Sequence, residues 1–135
     1  MKIRAILYTR VATKELDKQD SNNTDYQTKR LINYCEKTDI EVIKVFNEYA
    51  SGANFENRPQ WQECLEFIND SNKIDVQIIL FTRWDIFCDT ESEIEKMAKV
   101  LAGYKIETTA IEQPFKFYLE TPPVKKGKGK NDSIE

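Results

Sequence analysis

Histidine is missing from this 135-residue chain. Its absence removes the commonest general base at neutral pH and the commonest metal ligand, which excludes Ser-His-Asp, Cys-His and histidine-based zinc chemistry. Glycine is scarce, at four residues. Neither G-x-x-x-x-G-K nor G-x-G-x-x-G occurs, so the usual phosphate-cradling loops are absent. There are only three cysteines, Cys35, Cys64 and Cys88, with no C-x-x-C pair and no metal-ligand spacing. They read as small buried hydrophobes in a reducing compartment. No apolar run approaches the roughly eighteen residues of a membrane helix, and the opening MKIRAILYTR reaches Arg10 too soon to be a signal peptide. These absences point to a cytoplasmic protein with no metal, no cofactor and no membrane association.

What is present is ordinary for a globular domain: 40% apolar and 32% charged residues, enough for one modest core. The charge is unevenly placed. The last fifteen residues hold Lys125, Lys126, Lys128 and Lys130 against Asp132 and Glu135. With the whole chain at −3 and this tail at +2, the other 120 residues stand at −5. An acidic body with a short basic tail is a poor footprint for a free-standing nucleic-acid binder. The lysine run reads first as a solvated tail and second as a weak phosphate contact.

The apolar pattern alternates between strand and helix. Residues 3–9 form a buried strand and 14–23 a polar loop. A helix follows from an N-cap at Thr24, with Leu31, Tyr34 and Cys35 on one face. Residues 41–46 form a β-branched strand, followed by a long connection over 47–58. Pro59 opens a helix over 59–69 whose apolar face is Trp61, Cys64, Leu65 and Ile68. A third strand spans 75–81. Thr90 and Glu93 have capping-box spacing before a stripe of Ile94, Met97, Ala98, Leu101 and Ala102, with Gly103 just past its end. A fourth strand spans 104–111. This order implies an α/β fold, three layers deep, with a mostly parallel sheet of four or five strands flanked by helices. The expected domain covers residues 1–112. Residues 113–135, with Pro114, Pro122, Pro123, Gly127 and Gly129, read as a partly disordered tail.

In such a sheet, sites form beyond the carboxyl ends of the strands. The first strand leaves through Tyr8-Thr9-Arg10-Val11-Ala12-Thr13-Lys14-Glu15. The second leaves through Glu48-Tyr49-Ala50-Ser51-Gly52, with Asn57-Arg58-Pro59 opening the next helix. The third leaves through Arg83-Trp84-Asp85-Ile86-Phe87-Cys88-Asp89. Together these resemble the serine site-specific recombinases (resolvases and invertases), with their Y-x-R-V-S-T-x-E, acidic-x-x-S-G…R-P and D-R-L-S-R motifs in this order. Tyr26-Gln27 resembles the glutamine usual early in that family's first helix. The resemblance implies phosphoryl transfer on DNA, in which a serine hydroxyl attacks a backbone phosphorus and arginines offset the developing charge. It places Arg10 and Arg58 at arginine positions, Glu48 at the acidic position and Asp85 at the aspartate.

Three positions depart from the pattern. Ala12 stands where the nucleophilic serine belongs, and a methyl group cannot attack phosphorus. Ile86 and Asp89 stand at the two arginines of D-R-L-S-R, so one positive charge is lost and the other reversed. Thr13 is the nearest substitute hydroxyl, without a base to activate it. The preferred reading is a domain related to DNA recombination, catalytically inactive and kept as a binding or regulatory module. It would associate with itself, with another recombinase or with DNA. The enzymatic alternative is an active recombinase or nickase using altered residues or residues supplied in trans. A third alternative is weak DNA binding through the lysine tail. Arg10 and Arg58 also admit a plain structural reading, as exposed arginines or as ion-pair partners of Glu48 and Asp85. Asp89 equally suits the negative charge favoured at a helix N-terminus. Trp84 and Phe87 read either as core or as an exposed patch for a partner.

Overall fold

The structure is a computed structural model that describes residues 2–70 and 75–113. Four strands form its sheet: β1 (Ile3–Val11), β2 (Ile40–Tyr49), β3 (Ile78–Phe81) and β4 (Glu107–Ala110). Their order is β2-β1-β3-β4 and every pairing is parallel. The helices are α1 (Lys14–Gln19), α2 (Thr24–Thr38), α3 (Pro59–Asn69), α4 (Trp84–Phe87) and α5 (Glu91–Gly103).

The strand period of two splits β1 between two cores. Ala5 and Leu7 pack with Leu31 and Cys35 of α2 on one face. Ile6 and Tyr8 pack on the other with Trp61, Cys64 and Ile68 of α3, Phe87 of α4 and Ile94 and Leu101 of α5. The result is three layers, as the alternating pattern implied. Trp61 is the hub of the larger core, with its ring against Tyr8, Phe55 and Phe87 at centroid separations of 5.1 to 5.4 Å. Trp84 and Phe87, 2% and 0% exposed, belong to this core and not to a surface patch.

Several boundaries differ from the sequence reading, each for a local reason. The segment expected to be a loop contains α1. Thr13 caps it by accepting the Leu16 amide at 3.1 Å, with Glu15 and Asp17 in the first turn and Lys18 in the last. These suit the helix dipole, but α1 buries no residue, so apolar periodicity gave no sign of it. The α2 cap is Asn23, which accepts the Tyr26 amide, and Thr24 is the first helical residue. The capping box at α5 does not form: the Thr90 hydroxyl donates to the Ala53 carbonyl at 3.0 Å. Gly103 is the last residue of α5, and the left-handed position falls at Lys105, φ 62°. β3 begins at Ile78, not at 75, and β4 is confined to 107–110.

All three cysteines are free and buried. Burial pushes the Cys35 thiol up and, helped by the nearby Glu48 carboxylate, pushes Cys64 up to about 12. Because the thiolate is the reactive form, a maleimide at pH 8 is expected to modify the denatured chain quickly and to leave Cys64 untouched in the native one. Rapid native labelling at Cys64, read by peptide mass mapping, would contradict this burial. A raised thiol pKa also means that the folded state keeps a proton the unfolded state releases near its ordinary value. This contribution to stability is therefore complete below about pH 8.5 and declines as pH rises towards 12. Among the described residues no helix is long and apolar enough to cross a membrane.

Candidate active site

The motif residues converge beyond the carboxyl ends of β1, β2 and β3, because parallel strands deliver their ends to one edge of the sheet. β1 runs out at Val11, so Ala12 sits on an exposed bend and Thr13 begins the cap of α1. The backbone just before that bend is held by Gln27 of α2. Its side-chain oxygen accepts the Arg10 amide at 3.1 Å, and its amide group donates to the Arg10 and Asn22 carbonyls at 3.0 and 2.9 Å. Thr9 points to the opposite face and donates to Asn47 at 2.6 Å, which leaves Tyr8 and Arg10 together on the α3 side.

Arg10 lies half-buried against three backbone carbonyls. Its Nε donates to Ile86 at 2.8 Å, Nη1 to Ala50 at 2.9 Å and Nη2 to Asp85 at 2.7 Å. Gly52 makes this fit possible: a Cβ there would lie 2.8 Å from Arg10 Nη2 and 3.1 Å from Asp89 Oδ2. Burial, then the neighbouring Arg58 charge, lowers the Arg10 pKa, while Tyr8, Asp89 and Asp85 oppose that fall. The side chain remains a cation.

Arg58 is completely buried. Its Nε donates to the Ser51 carbonyl at 3.1 Å and its Nη1 to the Phe87 carbonyl and, at 3.4 Å, to the Tyr8 hydroxyl. The guanidinium lies 4.5 Å from the centroid of the Phe55 ring, a favourable cation–π placement. Neither arginine matches the structural expectation of an exposed side chain or a partner for Glu48 and Asp85. The Asp85 carboxylate is exposed and pairs with Arg83 at 3.6 Å. Glu48, 1% exposed, serves the start of α3: Oε1 accepts the Trp61 amide at 2.8 Å and Oε2 the Gln60 amide at 3.0 Å. Oε1 also accepts the Tyr8 hydroxyl at 2.9 Å. Burial above all keeps that phenol protonated, its pKa far above the ordinary value. A carboxylate on free amides at a helix N-terminus is the arrangement the helix dipole favours.

The departures are equally definite. Ile86 is 8% exposed and belongs to the larger core. Asp89 is exposed, and its Oδ1 accepts from Thr90 at 3.2 Å. Lys125, Lys126, Lys128 and Lys130 lie outside the described residues. Cys88, read from sequence only as a small buried hydrophobe, and Gln113, not singled out at all, both touch the site: Cys88 Sγ donates to the Gly52 carbonyl at 3.1 Å, and Gln113 accepts the Trp84 amide at 2.9 Å. Neither contact has a sequence signature, because each joins segments distant along the chain. A groove of about 540 Å³ lined by Lys44, Phe46, Glu63, Glu66, Phe67 and Asp70 lies along β2 and α3 and includes no motif residue. Among the described residues no group of three His, Cys, Asp or Glu side chains is placed to hold a metal ion.

The family model described as the N-terminal domain of resolvase matches residues 5–124. The chain belongs to the resolvase family. Solved structures agree on the fold of this resolvase domain. The N-terminal catalytic domain of TP901-1 integrase superposes with a TM-score of 0.73 at 24% identity, covering 82% of this chain and 79% of that one. A resolvase family site-specific recombinase from Streptococcus pneumoniae gives 0.70 at 23% identity, covering 84% and 75%. The C-terminal catalytic domain of ISC1926 TnpA, an IS607-like serine recombinase, gives 0.68 at 20% identity, covering 81% and 67%. Among curated proteins, none matches this chain in sequence.

Proposed function

We propose that this resolvase domain has lost strand-cleaving chemistry and serves DNA recombination as a binding or regulatory module. The observation that carries the proposal is Ala12, exposed on the bend after β1 where the family motif puts the attacking serine. Covalent phosphoryl transfer needs a hydroxyl oxygen to bond to phosphorus while the 3′ oxygen leaves, and this side chain has no oxygen. Thr13 is a poor substitute, since its oxygen is engaged as the α1 cap. The charge pattern agrees. Removing one transition-state donor typically lowers a rate by about a hundredfold to a thousandfold, and here Ile86 and Asp89 remove two. In this reading residues 1–112 form the module, 113–135 its tail, and the partner is DNA, a second copy or an active recombinase.

The test is incubation of supercoiled plasmid with the wild-type protein and with Ala12→Ser, followed by denaturing gels for covalent protein–DNA adducts. Neither protein is expected to form one. An adduct from Ala12→Ser alone would overturn the proposal. Time-dependent nicking by wild type that disappears in Arg10→Ala would establish the enzymatic alternative. Binding of a labelled duplex that weakens with salt and vanishes when residues 121–135 are removed would assign DNA contact to the lysine tail.

A further inference from the structure

We infer that Arg10 and Arg58 act as a structural brace locking the 50–53 segment onto α4, with guanidinium nitrogens seated on backbone carbonyls of both segments. All four carbonyls from Ala50 to Ala53 are held from outside the segment. Ala50 is held by Arg10 Nη1 and Ser51 by Arg58 Nε. Gly52 accepts the Asp89 amide at 2.9 Å and Cys88 Sγ at 3.1 Å, and Ala53 accepts the Thr90 hydroxyl at 3.0 Å. The same two guanidiniums reach the other way into α4, to the carbonyls of Asp85, Ile86 and Phe87. Each arginine thus bridges the turn after β2 and the turn after β3, two segments with no strand pairing between them. A lysine could not do this, because one ammonium cannot span three carbonyls set around a planar fork.

Chemistry explains why the brace needs charge. Backbone carbonyls taken out of water must find donors, and the 50–53 segment, buried at Gly52, has no strand or helix to supply them. Guanidinium donors make stronger hydrogen bonds than neutral ones. The missing Cβ of Gly52 lets the Arg10 plane close over the segment. The inference deepens the proposed inactivity, since each nitrogen of the Arg10 guanidinium is held on a carbonyl and Arg58 Nη2, which has no partner, is buried. Its test needs no DNA, so the two readings fail separately.

Amide hydrogen exchange on the full chain decides it. In Arg10→Ala, exchange at the Asp89 amide, which donates to Gly52, is expected to quicken by on the order of tenfold or more. Exchange within the β1–β3 ladder, at Ile79 and Leu80, is expected to stay unchanged. Arg10→Lys is expected to behave like Arg10→Ala. Thr90→Val, which removes a neutral donor from the same segment, gives a second and smaller local loosening should Arg10→Ala fold poorly. Titration of the wild type with inorganic phosphate is expected to leave the Arg10 Nε–H resonance in place. Unchanged Asp89 exchange in both variants, full rescue by lysine, or a saturable phosphate shift at Arg10 would each overturn the brace.

Discussion

Replacing Glu48 by alanine is expected to lower the unfolding free energy by about 3–5 kcal/mol, the range for breaking a buried charged network by removing one partner. The carboxylate accepts from the Tyr8 hydroxyl and from the Gln60 and Trp61 amides. Its loss strands two buried donors, the Tyr8 hydroxyl and the Trp61 amide, and the part-buried Gln60 amide; each buried donor left unpaired costs roughly 1–3 kcal/mol before relaxation. Glu48→Gln keeps the oxygen shared by Tyr8 and Trp61 and turns an NH2 group towards the Gln60 amide, so about half the loss is expected. Urea denaturation followed by circular dichroism measures both variants. A loss below about 1 kcal/mol for Glu48→Ala would mean that water reaches the α3 N-terminus, against the burial of this residue. The family motif identifies an acidic residue here by resemblance; the structure gives that acid a folding duty.

Ile86→Arg, the substitution that restores the family's residue, is expected to destabilise the domain by about 3 kcal/mol. Roughly 1.5–3 kcal/mol comes from withdrawing the isoleucine from the larger core. More comes from bringing a guanidinium towards Arg10, already flanked by Arg58. The arginine stem can run along apolar surface with its head in water, which sets the upper limit. Chemical denaturation reads the effect. A change under about 1 kcal/mol would show that position 86 still opens to solvent and that the lost charge is structurally easy to regain. If the larger loss is found, the position has been absorbed into the core. The missing arginine is then fixed by packing as well as by sequence. Asp89, exposed at the start of α5, sets no comparable packing barrier.

Where one residue decided one local feature, the sequence was readable. Pro59 marked the first turn of α3, and Trp61, Cys64 and Ile68 marked its buried face. The alternation of β1 placed Tyr8 and Arg10 together and Thr9 opposite. The strand ends and the family resemblance together pointed to Arg10, Glu48, Arg58 and Asp85 at one edge of the sheet. Their partners were not readable. Arg58 is a charged residue with no exposed surface, and its acceptors are carbonyls, which every residue carries and no motif records. The same blindness hid the Thr90 contact: a hydroxyl at a helix start suggests a cap, yet this one caps no amide of α5 and lies within hydrogen-bond distance of the Ala53 carbonyl and Asp89 Oδ1. Helix α1 escaped for a different reason. It is held by its cap, by dipole terms and by polar contacts of Asp17 with the Thr24 amide and the Tyr49 hydroxyl, and periodicity detects only helices that bury a face.

The sheet order also governs how this chain can be made. Of the four strands in this sheet, the first to be synthesised is an interior one, with Ala5 beside Val42 on one flank and Ile78 on the other. A nascent chain can close the first flank once β2 has emerged, but the second stays open until β3 follows. Through that interval β1 offers a row of unpaired amides and carbonyls edged by Ile6 and Leu7, an invitation to pair with any neighbouring chain. Closing so long a loop costs entropy before any contact rewards it. A translation product that stops short of Ile78 would therefore be an aggregation hazard as well as an incomplete domain.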